Sequence, residues 1–401
     1  FRFVGIVATA VGVLFLAVFF ATLIAKGASA FKQTFVQLDI TLDADVLAPG
    51  GELDLEYADF DGLVRTSLRD KFPEVTSRGE RRQLYRLVSV GAGYQLRSLL
   101  RSNPDLVGST QKLWVPASST VDMLLKGNID ASVDESLRTV SDQQIAWVQE
   151  LSDAGRVRSQ FNSALFNNGD SRDPELAGIK GAVMGSFYML LVTIALSFPI
   201  GVAAAIYLEE FAPKNRWSDL IEVNINNLAA VPSIVFGLLG LAVFINWMSL
   251  PRSAPLVGGL VLTLLTLPVI IIASRAAIQA VPPSIREAAL GLGASQMQVV
   301  FHHVLPLAMP GMLTGAIIGM SRALGESAPL LMIGMVAFIV DVPGGFTDPA
   351  TALPVQIYLW ADSPERAFAE RTSAAIIVLL GFLLLMNLAA VILRKRMERK
   401  W

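Results

Sequence analysis

The sequence predicts an all-α integral membrane protein with six transmembrane helices and an extramembrane α+β domain inserted between helices 1 and 2. The chain of 401 residues is 53% hydrophobic and only 16% charged, and its mean hydropathy is +0.54. Ordinary soluble domains carry about 25% charged residues. Several apolar runs are about 20 residues long, which is the length that a helix needs to cross a bilayer. Most of the charges lie in one stretch, 26–180, which therefore belongs outside the membrane.

The composition excludes several classes of function. The net charge of −2 leaves no dominant basic face, so we expect no nucleic-acid partner. The chain has no cysteine, which excludes disulfides, thiolate metal sites and cysteine nucleophiles. His302 and His303 are the two imidazoles, and a histidine-rich metal site is not expected from them.

Residues 1–25 form the first predicted transmembrane helix, with an apolar run at 3–25. A cleaved signal peptide is the alternative interpretation. Its apolar core would span about 7–15 residues and would end at a clear small-residue cleavage site. The run is longer and lacks such a site, which favours a retained anchor. Because the sequence begins with Phe1, we also expect that residues precede it.

Residues 26–180 form the predicted periplasmic or extracellular α+β domain. Alternating apolar and polar residues predict strands, and apolar residues at helical spacing predict helices. Ser141 is a suitable N-cap for one of these helices. The pattern predicts strands at 34–46, 112–116 and 156–166, and helices at 80–100 and 141–154.

Residues 181–401 form the predicted transmembrane domain, which contains the other five helices. The segment 306–340 is too long for one span and too short for two, so a break is predicted near Ser327, Ala328 and Pro329. The five helices are predicted at 181–208, 228–248, 255–274, 306–328 and 373–393.

The orientation follows from the positions of Lys and Arg near the ends of the helices. The basic tail 394–400 is expected in the cytoplasm. Counting back through six spans places the loops 209–227 and 275–305 on the same side. The 26–180 domain and the 341–372 loop then lie on the opposite side.

The loop at 284–304 has the composition of a helix, a kink and a second helix. Glu287, Ala288 and Ala289 favour the first helix, and Gly293 interrupts it. Leu305 and Pro306 then begin the next span. Such an element suits docking into a groove of a soluble protein. A plain helix on the membrane surface is the alternative.

The spacing of Glu287-Ala288-Ala289, Gly293 and Leu305-Pro306 resembles the signature loop of ABC importer permeases. Position 303, which is usually Ile or Val in that family, is His303 here. The resemblance implies that the loop fits a cleft of a separate cytoplasmic ATPase subunit. No G-x-x-x-x-G-K-[ST] motif occurs in the chain, so ATP and Mg are expected on that partner. We expect a transporter subunit that is not itself an enzyme and carries no cofactor.

Two stretches, 199–244 and 305–334, are similar to PstA-type permeases of phosphate ABC importers, and the similarity covers roughly 180–393. The segment 322–329, RALGESAP, is the most similar part. This resemblance implies a bacterial inner-membrane location and a substrate of inorganic phosphate. It also implies three kinds of protein partner: a paired homologous permease in a heterodimer, two copies of the ATPase and a periplasmic phosphate-binding protein. Membrane lipid surrounds the complex.

Charged residues in a predicted membrane helix mark the candidate substrate path. Arg322 and Glu326 are four residues apart and therefore share one helix face. Arg supplies bidentate donors for phosphate, and a carboxylate accepts the proton that phosphate carries and sulfate lacks. A structural ion pair is the alternative. Arg275 is a weaker candidate for the path, with a positive-inside anchor as its alternative.

Gly311, Gly315 and Gly319 are spaced four apart and predict a small-residue stripe on one helix. Such stripes allow close approach between membrane helices. We expect this stripe to face either the partner permease or a core helix.

Other functions fit parts of the sequence. The permease of another oxyanion, sulfate or molybdate, is the first alternative. An ion-driven secondary transporter is the second, although it has no use for the signature loop. The third is a membrane-anchored sensor whose 26–180 domain binds a ligand.

Overall fold

The structure is a computed structural model that describes residues 2–48, 53 and 55–397 and divides into two compact units. The N-terminal unit comprises Phe1–Asn167, Ser171–Gly178 and Ser363–Ala374. The membrane unit comprises Asn168–Asp170, Ile179–Asp362 and Ala375–Trp401.

The N-terminal unit begins with a long apolar helix, α1 (Arg2–Gly27), followed by an α+β fold. The β-strands are β1 (Lys32–Thr41), β2 (Thr110–Pro116) and β3 (Val157–Phe161). The helices are α2 (Ala44–Leu47), α3 (Phe60–Lys71), α4 (Arg78–Tyr85), α5 (Gly91–Ser102), α6 (Ser119–Leu125), α7 (Asp142–Asp153) and α8 (Ser163–Asn167), with short 3-10 turns at Ala28–Phe31, Pro104–Leu106 and Glu135–Leu137.

The three strands form one antiparallel sheet in the order β2-β1-β3. Leu38 of β1 pairs with Leu113 of β2, and Thr34 pairs with Ser159 of β3. Val36, Leu38 and Ile40 alternate along β1 and are buried among apolar residues of the helices, including Leu68, Leu84, Leu96 and Trp147. The sheet therefore carries its helices on an apolar face, as the period-two pattern of β1 requires.

Three predicted elements of this unit differ from the structure. The first strand ends at Thr41 rather than at 46, because Asp43 caps the short helix α2. The predicted helix 80–100 is two helices, since the backbone of Ser89 donates to Pro116 O (3.0 Å) and Val88 bridges Ala117. The predicted strand 156–166 ends at Phe161, where Asn162 accepts from Leu165 N at 3.2 Å and begins α8.

A buried charge cluster stabilises the interior of the N-terminal unit. Lys126 Nζ lies 2.7 Å from Asp122 Oδ2 and 2.8 Å from Glu370 Oε1, and all three side chains are nearly buried. Asp122 Oδ1 also accepts a hydrogen bond from the backbone of Thr34 (2.9 Å). Glu175 is 5% exposed, and burial raises the pKa of its carboxyl above the ordinary value.

The membrane unit is helical throughout its regular segments. Its longest helices are apolar on most sides, as expected for segments surrounded by lipid and other helices. The helices are α9 (Lys180–Ile206), α10 (Arg216–Ala229), α11 (Ser233–Gly240), α12 (Pro255–Gln279), α13 (Pro283–Gly291), α14 (Gln296–Gln298), α15 (Leu305–Gly325), α16 (Ala328–Met332), α17 (Leu353–Ala361) and α18 (Ala367–Met397), with π-helical turns at Tyr207–Phe211, Leu241–Trp247 and Val299–Val304.

Five helical segments among the described residues are long and apolar enough to cross a membrane. The count becomes six if Arg216–Ala229 and Ser233–Trp247, which meet at a bend of 101°, form one span. The predicted fold class is confirmed in this sense. The five continuous segments are Arg2–Phe31, Lys180–Phe211, Pro255–Gln279, Gln296–Gly325 and Ala367–Met397.

The predicted loop 209–227 is wrong in detail, because most of it is the helix α10. The side chain of Asn215 caps this helix by accepting from Trp217 N and Ser218 N, both at 3.0 Å. The third predicted span, 228–248, therefore begins later, at Ser233. The predicted break after α15 is confirmed, since the helix ends at Gly325 and Glu326 is extended.

Helix α12 is the centre of the membrane unit and packs against α9 and α15. Small residues make the contact with α9 close. A Cβ atom added at Gly201 would lie 2.7 Å from Ile270, and one added at Gly259 would lie 2.6 Å from Val192. Glycine at these positions therefore brings the helix backbones together, as in other membrane bundles.

Candidate coupling loop and membrane charge pair

The loop between α12 and α15 folds as a helix, a kink and a second helical segment, as the sequence predicts. Helix α13 (Pro283–Gly291) ends before Gly293, whose φ of +86° is the left-handed conformation that glycine adopts without strain. Ser295 and Gln298 then form a capping box at the start of the next segment. The loop is therefore locally ordered by its own sequence.

One side of the loop packs on the membrane unit and the other side is exposed. Ala289 is 4% exposed and belongs to an apolar cluster with Ile206, Ile278 and Val300. Glu287 and Ala288 are exposed, and so is Gly293. Leu290 and Leu292 are 52% and 90% exposed. The two exposed leucines give the end of α13 an apolar surface.

Arg286 fastens the loop to the end of α9. Its guanidinium donates from Nη2 (2.8 Å) and Nε (3.1 Å) to Glu210 Oε1. It also donates to the backbone oxygens of Val281 (2.6 Å) and Ile278 (2.9 Å). Gln296 Nε2 donates to the backbone oxygen of Glu210 at 2.6 Å. The two ends of the loop therefore meet at one acidic residue, and we call this contact the loop brace.

The guanidinium of Arg275, a candidate for the substrate path, forms ion pairs with two carboxylates. Its Nε lies 2.5 Å from Glu209 Oε1, and its Nη2 lies 2.9 Å from Glu222 Oε2. Its side chain is 16% exposed. Arg275 therefore connects α12 to the end of α9 and to α10. This second ion-pair site lies beside the loop brace, since Glu209 and Glu210 are neighbours in the π-helical turn that follows α9.

Arg322 and Glu326 lie at the C-terminal end of α15. Arg322 is in the last turn, and Glu326 follows the helix in an extended conformation. Arg322 Nε and Glu326 Oε1 are 3.5 Å apart, and the side chains are 46% and 20% exposed. The pair is longer than a good charge-assisted hydrogen bond, which measures about 2.7–2.9 Å. The structure thus brings the two residues together and leaves the guanidinium accessible.

The glycine stripe of α15 faces α12. A Cβ atom added at Gly311 would lie 2.6 Å from the Cβ of Ala277, and one added at Gly315 would overlap the Cβ of Ala273. Gly319 has more room, with Ile270 and Thr266 at 3.7 Å. Of the two expected neighbours, the core helix is therefore the one that the stripe contacts.

Sequence reasoning did not assign a role to Glu209, Glu210 or Glu222. The available signal is a pair of acidic residues at the end of an apolar run, Glu209-Glu210, with arginines in a loop predicted on the same side. Leu305 and Pro306 lie at the start of α15 and are partly buried, so they connect the loop to the span.

The helical spans and the braced loop define a polytopic membrane protein with an ordered, exposed loop. The family model described as "Binding-protein-dependent transport system inner membrane component" matches residues 197–399, which is half of the chain. The chain belongs to this family of membrane transport components. A second model, described as "Domain of unknown function (DUF3333)", matches residues 1–135.

Named relatives are similar to this chain over about half of its length. The chain is 38% identical over 174 residues to the "Probable ABC transporter permease protein YqgI" of Bacillus subtilis (strain 168), covering 43% of this chain and 58% of that protein. It is 32% identical over 217 residues to the "Phosphate transport system permease protein PstA 1" of Mycobacterium tuberculosis (strain ATCC 25618 / H37Rv), covering 54% and 70%. The chain therefore spans between about half and three quarters of these relatives.

A PstA protein of Haemophilus influenzae (strain ATCC 51907 / DSM 11121 / KW20 / Rd), also named a phosphate transport system permease protein, is 29% identical over 56% of this chain and 78% of its own length. Among solved structures, a chain of the MetNI methionine ABC transporter, in inward facing conformations, is 20% identical with a TM-score of 0.42, covering 55% of this chain and 97% of its own.

Proposed function

We propose that this chain is a PstA-type permease subunit of an ATP-driven importer of inorganic phosphate. The observation that carries the proposal is the exposed loop from Glu287 to Pro306, which the loop brace holds on a membrane unit of the transport family. The relatives named as phosphate transport permeases, at 29–32% identity, support phosphate as the substrate.

Three kinds of partner follow from this proposal. A paired homologous permease completes the membrane pathway. Two copies of a cytoplasmic ATPase contact the loop and bind ATP and Mg. A soluble periplasmic protein delivers phosphate. This chain then performs no covalent chemistry, and its location is the bacterial inner membrane with the C-terminus in the cytoplasm.

The exposed face of the loop suits it for contact with the ATPase. Leu290 and Leu292 supply apolar area, and Glu287 and Ala288 lie beside them on α13. A short helix that is fastened at one side moves as a rigid piece when its exposed side is pushed. In this proposal the loop brace transmits that movement to α9, and the membrane pathway changes from one access state to the other.

Arg322 and Glu326 are proposed to line the phosphate path. Arg322 is half exposed, and its ion pair at 3.5 Å leaves N–H groups for a bidentate contact with an oxyanion. Glu326 supplies an acceptor for the proton of monohydrogen or dihydrogen phosphate. The two short ion pairs of Arg275 support a structural link between helices, which is a different role from the substrate path and from the positive-inside anchor that the sequence suggests.

The test is uptake of radiolabelled phosphate by the chain reconstituted with its cognate permease, ATPase and binding protein. We expect ATP-dependent uptake that excess unlabelled sulfate or molybdate does not reduce. We expect Arg322→Gln to lower uptake by at least about tenfold, since loss of a charge-assisted contact costs about 1.5–3 kcal/mol.

Arg252→Gln is the matched control, because it removes the same charge from an exposed residue of the membrane unit. Normal uptake by Arg322→Gln, with normal folding, would remove Arg322 from the path. Transport of sulfate or molybdate in place of phosphate would support the importer function and would show that the assignment of phosphate as its substrate is wrong. Absence of any ATP-dependent transport would favour the sensor.

A further inference from the structure

Three arginines of the N-terminal unit line one cleft of about 250 Å³. Arg65 comes from α3, Arg82 comes from α4, and Arg86 follows α4 directly. Tyr85, Ser89 and Asp61 line the same cleft. Arg65, Arg82, Arg86 and Asp61 are exposed, so the cleft is open to solvent.

The three guanidinium groups lack polar partners within the described part of the chain. None of them forms an ion pair or donates a hydrogen bond to a described residue, and Arg65 contacts only the ring face of Tyr85, at 5.8 Å. Other arginines of this unit do have partners. Arg69 donates to Thr66 Oγ1 at 2.7 Å, and Arg81 donates to Val75 O at 3.2 Å. The cleft therefore brings together three guanidinium groups whose donors are available to a ligand.

The surrounding sequence is also strongly basic. Residues 61–101 contain nine basic and four acidic residues, a net charge of +5, although the whole chain carries −2. Gathering like charges around one concave surface is unfavourable, and the potential in such a cleft is raised by its low-dielectric walls. An anion in the cleft relieves this repulsion.

We propose that the cleft of Arg65, Arg82 and Arg86 binds an oxyanion of the phosphate class. Each guanidinium offers a planar set of five N–H donors, which matches the oxygens of a phosphate group in bidentate contacts. Asp61 at the cleft accepts the proton that a partly protonated oxyanion carries. A volume equal to several water molecules, at about 30 Å³ each, suits a small anion. This site is separate from Arg322 and does not depend on the transport function proposed above.

The phosphate group has two possible sources, free inorganic phosphate and the headgroup of an anionic lipid. The first measurement is equilibrium dialysis of radiolabelled inorganic phosphate against the full chain in nanodiscs of phosphatidylcholine. Both the wild-type chain and the Arg322→Gln variant are used, so that binding at the proposed membrane path is measured separately. We expect the triple variant Arg65→Gln, Arg82→Gln, Arg86→Gln to bind at least tenfold more weakly in the Arg322→Gln background, where the proposed membrane path does not contribute.

Arg69→Gln is the control, because it removes one positive charge from α3 at a position that does not line the cleft. The thermal midpoint of each variant shows whether it is folded, and exposed arginines are expected to change it little. If binding falls equally in Arg69→Gln and in the triple variant, the loss follows from net charge alone, and the proposed binding site is wrong.

The second measurement separates the two sources by hydrogen exchange of peptides from 61–92. Protection by inorganic phosphate in phosphatidylcholine discs assigns the cleft to the free ion. Protection only in discs that contain phosphatidylglycerol assigns the cleft to the headgroup. Either result supports the proposal when the triple variant loses the protection. The absence of protection in both kinds of disc would contradict the proposal. Protection that appears only when the periplasmic binding protein is added would also contradict it. A failure of phosphate uptake with intact binding in the cleft would overturn the transport function alone.

Discussion

Arg286 and Glu210 are joined by two hydrogen bonds to one carboxylate oxygen, at 2.8 and 3.1 Å, although they lie 76 residues apart. The side chains are 22% and 11% exposed, so water competes little for this contact. Charge-assisted hydrogen bonds of this kind contribute more than neutral ones. The contact joins the loop to the end of α9, which makes it the mechanical connection between the exposed loop and the spans.

Arg286→Gln is expected to uncouple ATP hydrolysis from transport. The variant removes the bonds to Glu210 and to two backbone oxygens, while the exposed side of α13 keeps its residues. We expect uptake per ATP hydrolysed to fall by about tenfold, which corresponds to about 1.4 kcal/mol. The measurement is the ratio of phosphate uptake to ATPase rate in the reconstituted complex.

Arg252→Gln serves as the control for loss of a positive charge in that experiment. A parallel loss of uptake and of ATPase activity in Arg286→Gln would mean that the loop no longer docks. Uptake and ATPase rate that both stay at the wild-type level would show that the loop brace does not transmit movement.

Gly315→Ala is expected to destabilise the membrane unit, because its added methyl group would overlap Ala273. Overpacking of this kind costs about 1–3 kcal/mol. Gly319→Ala is the same chemical change at a position where the nearest atoms are 3.7 Å away, and we expect it to be tolerated. Thermal unfolding in detergent compares the two. Restoration of stability by Ala273→Gly in the Gly315→Ala background would identify the contact, whereas equal effects at both glycines would contradict it.

Lys126→Met is expected to destabilise the N-terminal unit by about 3–5 kcal/mol, because it removes the cation that contacts both buried carboxylates, Asp122 and Glu370, directly. Lys71→Met is the control. Lys71 lies 3.9 Å from Glu150, in an exposed pair that contributes about 0–1 kcal/mol. Denaturant unfolding of the full chain measures both effects, and the unfolded fraction of the N-terminal unit is determined from its cleavage by a protease. Similar effects of the two substitutions would show that the buried cluster adds little.

Glu175 makes the stability of the N-terminal unit depend on pH. Burial, the largest cause, raises the pKa of Glu175 above its ordinary value of 4.5, and the nearby Asp173 adds to the rise. The folded unit therefore binds this proton more tightly than the unfolded chain. The contribution of Glu175 to stability is fully present below about pH 4.5, and it is lost as the pH rises through the raised pKa.

Glu175→Gln is expected to remove this pH dependence and to raise the thermal midpoint near neutral pH. Scanning fluorimetry of both proteins between acidic and neutral pH tests this expectation. A wild-type midpoint that rises with pH over the same window, relative to the variant, would have the opposite sign and would contradict the role of Glu175.

The sequence determines several features of the fold through local physical rules. A run of about 20 apolar residues has to form a helix in lipid, where its backbone groups find no other partners. The spans at Arg2–Phe31 and Pro255–Gln279 follow from this rule. Gly293 and the capping box of Ser295 likewise place the kink of the loop from local sequence. The pair Arg322 and Glu326 is predicted by its spacing of four residues.

Errors arise where a contact distant in sequence competes with the local pattern. Apolar spacing predicts one helix at 80–100, but Ser89 and Val88 pair with the end of β2 and divide it. The polar composition of 209–227 indicates a loop, yet Asn215 caps a helix there. Helix periodicity alone does not report such pairings.

The sequence by itself determined the class of the protein, since span length, signature spacing and missing ATP motif are all properties of short stretches. Only the tertiary structure decided which charges distant in sequence meet. Glu210 pairs with Arg286, Glu209 with Arg275, and Lys126 with Glu370, across separations that no local rule encodes. Ion pairs depend on distances of a few ångströms between side chains, and those distances exist only after the helices have packed.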